Sequence, residues 1–179
     1  MASCFAILQY VYFEMSYDKF HKNADRIFRV NLQYDHVYWA TNHPAVGSAL
    51  KEEFPEVVEY ARAVHQSILI KNQLACSCTD KRGNKKVFNM DNAYFVDPSF
   101  VKIFSFPFIY GDPRSALKNP DDITISRSVS RKFFGNENPV GKELRINDSW
   151  PLIVSGVFED IPENSSIRFD ALIQYKLVT

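Results

Sequence analysis

The sequence predicts an α+β fold of mostly antiparallel strands with short helices, preceded by an apolar leader. Three observations predict it. Short stretches such as 28–34 and 167–176 alternate apolar and polar residues. Pro55 and Gly135 end the helical patterns before them. Glu14 is the first charged residue, and Asp18, Lys19, His21 and Lys22 then follow within a few positions.

Taken in order, Asn23 is placed to cap a short helical turn over 23–26. Phe28, Val30, Leu32 and Tyr34 alternate with Arg29, Asn31 and Gln33, which predicts a half-buried strand. Asn42-His43-Pro44 opens a helix with Val46, Leu50 and Phe54 four apart, and Pro55 ends it. Stretches 57–64 and 66–71 read as strands, and polar 72–85 as a hairpin or loop. Strands follow at 86–90 and 93–97, then a short helix from Asp97-Pro98-Ser99. Residues 105–122 carry Pro107, Gly111, Pro113 and Pro120, so they are irregular, with a helical turn at 113–118. Residues 123–125 form a strand. Ser126 or Ser128 caps a helix through Phe134, and Gly135 stops it. After a turn at 138–141, strands at 142–147 and 151–159 make a hairpin across Asn147-Asp148, and 167–176 supplies the last strand.

The 179 residues are enough to bury a core without disulfides or metals. Lys plus Arg equals Asp plus Glu at 21 each, so no net charge draws the chain to nucleic acid or an anionic surface. The 15 Phe and 9 Tyr read as an aromatic core. Cys76 and Cys78 share one side of a strand about 6.5 Å apart, a poor geometry for a disulfide. No second Cys or His pair completes a zinc site.

The motifs carry no evident catalytic site. Gly135 to Gly141-Lys142 resembles a phosphate loop, but five residues separate the glycines where four are needed. Glu143 also stands where a magnesium-binding hydroxyl belongs. His21, His36, His43 and His65 lack metal-ligand spacing and read as surface or capping residues. The acidic pairs Glu52/Glu53, Asp121/Asp122 and Glu159/Asp160 are neighbours in sequence, so on strands they face opposite sides. Asn147-Asp-Ser149 and Asn164-Ser-Ser166 match the glycosylation sequon, which matters only in a eukaryotic secretory setting. The residues therefore predict neither an enzyme nor a cofactor.

The leader does not read as a signal peptide, which needs a basic region before its apolar stretch, whereas Lys19 follows it. Ala2-Ser3-Cys4 looks like a lipoprotein cleavage site, which needs a hydrophobic region upstream. Thirteen helical residues reach about 20 Å, short of the ~30 Å hydrocarbon core. A buried core helix or the outer end of a longer membrane helix both remain open. In the second reading Tyr10, Tyr12 and Tyr17 form an interfacial belt.

Four blocks, read together, carry a resemblance. Residues 14–30 (EMSYDKFHKNADRIFRV) resemble the segment that leaves the first transmembrane helix in MacB-like, FtsX-type ABC transporter permeases. Residues 95–106 (FVDPSFVKIFSF) with 111–113 (GDP) resemble a second block of that family. Residues 125–135 (ISRSVSRKFFG) with 138–142 (NPVGK) resemble a third. Residues 154–166 (VSGVFEDIPENSS) with 169–171 (FDA) resemble a fourth.

The resemblance, closest in flavour to permeases of Bacteroides-like bacteria, implies a periplasmic core domain with two lobes, a porter-like α/β lobe and a β-rich lobe. Residues 1–15 are then expected to be the outer end of a truncated transmembrane helix, and 16–179 the extracytoplasmic domain, incomplete at its C-terminus. Ser16, Tyr17, Asp18, Phe20 and His21 become the expected membrane junction and coupling residues. The implied setting is the bacterial inner membrane, with the domain on the periplasmic side and the full-length protein dimeric. The implied partners are an ABC ATPase on a separate subunit or domain, and a periplasmic partner or an exported peptide, lipid or drug. The alternative is a ligand-sensing domain for peptides or antibiotics.

Overall fold

The computed structural model describes residues 2–70, 73–79 and 83–175. It opens with helix α1 (Ala2–Met15), whose side chains from residue 3 to 15 are all exposed. No helix among the described residues is long and apolar enough to cross a membrane. A short hairpin follows, β1 (Leu32–Tyr34) and β2 (Val37–Trp39), then helix α2 (Val46–Glu53). No residue from 22 to 60 is buried.

The core begins beyond residue 60. Strand β3 (Ala63–His65) runs directly into the single-turn helix α3 (Gln66–Leu69). Strands β4 (Leu74–Thr79), β5 (Lys85–Met90) and β6 (Ala93–Val96) precede helix α4 (Phe100–Ile103). Strands β7 (Phe108–Tyr110) and β8 (Asp122–Ser126) lead to helix α5 (Arg127–Phe134). Strands β9 (Glu143–Ile146), β10 (Trp150–Phe158) and β11 (Ala171–Gln174) complete the fold.

These strands, β3 to β11, form one nine-stranded sheet in the order β3-β6-β11-β8-β10-β9-β4-β5, with β7 beside the far end of β10. Two pairings are parallel, β6 with β11 and β8 with β10, and the rest are antiparallel. The mixed half carries α4 and α5; the half built from β9, β4 and β5 is wholly antiparallel. The α+β reading therefore holds, and both halves share one continuous sheet.

Alternation along the strands sends side chains to two clusters. Ala93, Phe95, Ile123, Ile125, Ala171 and Ile173 join Val129 and Phe133 of α5 on one face. Val96, Leu172 and Phe158 join Phe100 and Val101 of α4, with Phe106 and Phe169, on the other. Strand β10 also serves both, and its register shifts between Val154 and Gly156. Leu152 and Val154 point to the α5 side, and after the bulge Val157 does so as well. Gly156 sits where a Cβ would lie 2.6 Å from the Phe108 ring.

Several local expectations hold. Ser126 caps α5, its side chain accepting from the Val129 N–H, and Gly135 ends the helix at φ 66°. The β9–β10 hairpin turns on Asn147 and Asp148, at φ 48° and 57°. The aromatic-core expectation holds in part. Phe95, Phe100, Phe106, Phe133, Phe158 and Phe169 are buried, with Phe106 and Phe169 in ring contact with both Phe100 and Phe158. Phe5, Phe13, Phe28, Phe54 and Phe88 are exposed, and no described Tyr is buried.

Others are corrected. The alternating stretch 28–34 is not half-buried: only Leu32–Tyr34 pairs, and both of its faces are exposed because no sheet edge or helix lies against it. Of 57–64, only the last residues join the sheet. Stretch 66–71 is not a strand but begins with α3, because His65 caps it, its ring accepting from the Ser67 N–H. Residues 71 and 72 lie outside the described residues. In 72–85 the hairpin alternative holds, since Leu74, Cys76 and Cys78 turn inward as small apolar residues. Within the irregular 105–122 stretch, Phe108–Tyr110 is a strand recruited by β10. Asn23 occupies the cap position of the 3-10 turn at Ala24–Arg26 without a side-chain cap bond.

Candidate functional site: the junction after helix α1

The five junction residues lie at the point where α1 meets the folded domain. Helix α1 ends at Ser16, whose N–H and Oγ both donate to the Phe13 carbonyl, at 3.0 and 2.6 Å. The Tyr17 ring packs edge-on against Phe13, centroids 5.7 Å apart. Asp18 then turns the chain with φ 56°, a conformation that Asp tolerates better than most residues. Phe20 is half-buried and His21 is buried.

Two attachments hold this turn to the domain. The first is to residues 164–166. Asn164 Nδ2 donates to the Ser16 carbonyl at 3.2 Å and to Ser16 Oγ at 2.9 Å. The Asp18 N–H donates to the Asn164 carbonyl at 3.0 Å. The Asp18 carboxylate accepts from the Ser166 N–H at 3.0 Å, from Ser165 Oγ at 3.3 Å, and from Ser166 Oγ. Four residues, 167–170, join the segment 164–166 to β11, one of the central strands.

The second attachment is to residues 104–106, between α4 and β7. The Ser105 N–H donates to His21 Nδ1 at 3.1 Å, and the Lys22 N–H donates to Ser105 Oγ at 3.2 Å. The His21 ring lies among Phe20, Phe104 and Phe106, with centroids 4.1, 5.1 and 5.1 Å away. Burial lowers the His21 pKa from its ordinary value, and the nearby Asp18 charge opposes that shift.

Sequence reasoning singled out residues 16–21 but not what they touch. Asn164, Ser165, Ser166 and Ser105 lie more than 80 positions away along the chain. The Asn164-Ser-Ser166 run was visible as a sequon and as the end of the fourth family block, with nothing to show what it touches. His21 is also not the surface or capping residue that its spacing suggested. His65 does cap α3, His36 and His43 are exposed, and the His43 ring accepts from the Ala45 N–H.

The remaining chemical candidates are structural. Glu159 pairs with Arg127 at 2.6 Å, and Asp160 accepts from the Ser128 N–H at 2.9 Å. Asp122 accepts from the Asn119 N–H at 2.8 Å, and Lys142 of the glycine-flanked loop pairs with Glu137 at 2.6 Å. Cys76 and Cys78 are buried, unbridged thiols, and burial pushes Cys76 up to about 12. Among the described residues no group of three His, Cys, Asp or Glu is placed to hold a metal ion.

The profile of the MacB-like periplasmic core domain matches residues 1–178. The chain belongs to that family. The core domain is similar in structure to a domain of a candidate permease protein from Porphyromonas gingivalis, at 31% identity and a TM-score of 0.57. That match covers 72% of this chain and 55% of the other. The periplasmic region of MacB from Actinobacillus actinomycetemcomitans matches at 16% identity and a TM-score of 0.45, covering 64% of this chain and 47% of that one. The extracellular domain of the noncanonic ABC-type transporter YknZ from Gram-positive bacteria matches at 12% identity and a TM-score of 0.42, covering 64% and 52%. This core domain thus spans about half the length of the structures it matches. No curated protein matches it.

Proposed function

We infer that this core domain couples the motion of a membrane helix to an extracytoplasmic partner or exported cargo in an FtsX-type ABC transporter permease. ATP binding and hydrolysis occur on a separate cytoplasmic subunit or domain and move the transmembrane helices of a dimeric permease in the bacterial inner membrane. Helix α1 is the outer end of one such helix, and residues 16–21 pass its displacement to the periplasmic domain. The cargo class is a peptide, lipid or drug.

One observation carries this reading: the turn after α1 is hydrogen-bonded to the segment that feeds the central strand β11. A helix joined through a flexible linker would lose its displacement in the linker. Here α1 runs to Met15 without a glycine, and the next residues are held by side-chain and backbone bonds.

Replacing residues 14–18 by a Gly/Ser linker in the full permease tests it. Transport is expected to stop while ATPase expression and assembly persist. Normal transport by that variant overturns the coupling role.

A further inference from the structure

The second attachment of the junction includes one titratable side chain, beside the Lys22 N–H bond to Ser105 Oγ. His21 is 6% exposed, and its Nδ1 accepts the Ser105 N–H at 3.1 Å, so the neutral ring carries its proton on Nε2. We propose that His21 is a pH-sensitive pin: as a neutral ring it holds the junction to residues 104–106, and as an imidazolium it releases that contact.

The argument is geometric. Protonation puts a hydrogen on Nδ1, where it meets the Ser105 N–H, and two donors then face each other across a closed contact. The charged ring would also sit among Phe20, Phe104 and Phe106, largely out of water. Of the charged groups nearby, Asp18 on the same segment is the one whose field favours the imidazolium. The opposing segment Phe104-Ser105-Phe106 brings no ionisable side chain. The next charges along the two segments are Lys19, Lys22 and Lys102, which do not favour a second cation. The Asp18 carboxylate is meanwhile engaged by Ser165 and Ser166, so it does not close an ion pair that would replace the lost bond.

Burial outweighs Asp18, and the docked ring binds its proton less readily than a free histidine. Acidification through the histidine range therefore favours release. The consequence differs from unfolding. With the His21 bond in place the turn has one orientation; without it the Lys22 N–H bond to Ser105 Oγ and the Asp18 clamp to residues 164–166 remain, and the turn is held less firmly about that clamp. The inference rests on the junction being the transmission element, and it makes extracytoplasmic pH a regulator of its stiffness.

The test uses the full chain in lipid nanodiscs. Imidazole NMR gives the His21 titration and tautomer, and amide exchange is followed at Ser105. Cys4 is the exposed cysteine, while Cys76 and Cys78 are buried, so a spin label on Cys4 and a second at Asn136→Cys report the orientation of α1. We expect His21 to titrate below 6.5 with the Nε2–H tautomer at high pH. Ser105 exchange and the spread of label distances should rise with the same midpoint. In His21→Asn the amide oxygen takes the place of Nδ1 as acceptor without titrating, so the spread should stay constant with pH. The pin is overturned if His21 titrates at or above the ordinary value, if the spread ignores its titration, or if His21→Asn broadens as the wild type does. Should that variant fold poorly, the wild-type His21 and Ser105 titrations decide alone. None of these readings requires transport, so a failed coupling experiment and a failed pin are separate results.

Discussion

Asp18 does two things at once: it adopts a left-handed backbone and offers a carboxylate to three donors. Asp18→Ala removes those bonds and places a Cβ residue without compensation at φ 56°, so we expect a loss of about 1–3 kcal/mol in urea unfolding. Asp18→Asn keeps an acceptor and tolerates the turn, and should lose less than half as much; equal losses would show that the amide oxygen does not replace the carboxylate, whose charge then carries the clamp. Arg62 and Asp97 form a second dense contact, with Nε and NH2 donating to the two carboxylate oxygens at 2.8 and 2.6 Å. The Arg62 guanidinium also lies over the Tyr175 ring, 4.9 Å from its centroid. Arg62→Met strands a mostly buried carboxylate and should cost about 3 kcal/mol, read from the denaturation midpoint. The cysteines separate by burial: native protein should react with a thiol reagent quickly at Cys4 alone, and denatured protein at all three positions.

Strand β10 shows how one residue position shapes an element. Gly156 lies at the register shift that sets which core cluster Val157 and Phe158 enter, and a Cβ there meets the Phe108 ring. Gly156→Ala should destabilise by about 1–3 kcal/mol in thermal unfolding, and trimming Phe108 to Leu should recover part of it. No recovery would mean that the cost lies in the backbone instead. Elements with local signals were legible in the sequence: α5 has a serine cap and a glycine stop, and β9–β10 has an Asn-Asp turn. Elements whose fate depends on neighbours were not. The 28–34 stretch has perfect alternation and no surface to bury against, whereas the polar-looking β4 is drawn inward between β5 and β9. Likewise β11 alternates in sequence yet buries both faces, because β6 and β8 flank it and both core clusters cover it.

At the scale of the molecule, α1 is an exposed apolar helix that leans on nothing beyond the junction. The full chain should therefore float with liposomes, and a version beginning at Ser16 should not, while its melting temperature stays within about 2 °C. A large drop in melting temperature would mean that α1 supports the sheet. By itself the sequence determined the α+β class, the capped and turned elements, the apolar leader and the family, because these depend on residue types at short, fixed spacings. Only the tertiary structure decided that Asn164 and Ser166 clamp Asp18, that Ser105 meets His21, and that the clamp leads into a central strand. Those contacts join residues far apart in the chain, and their geometry follows from how the sheet orders its strands rather than from any local pattern.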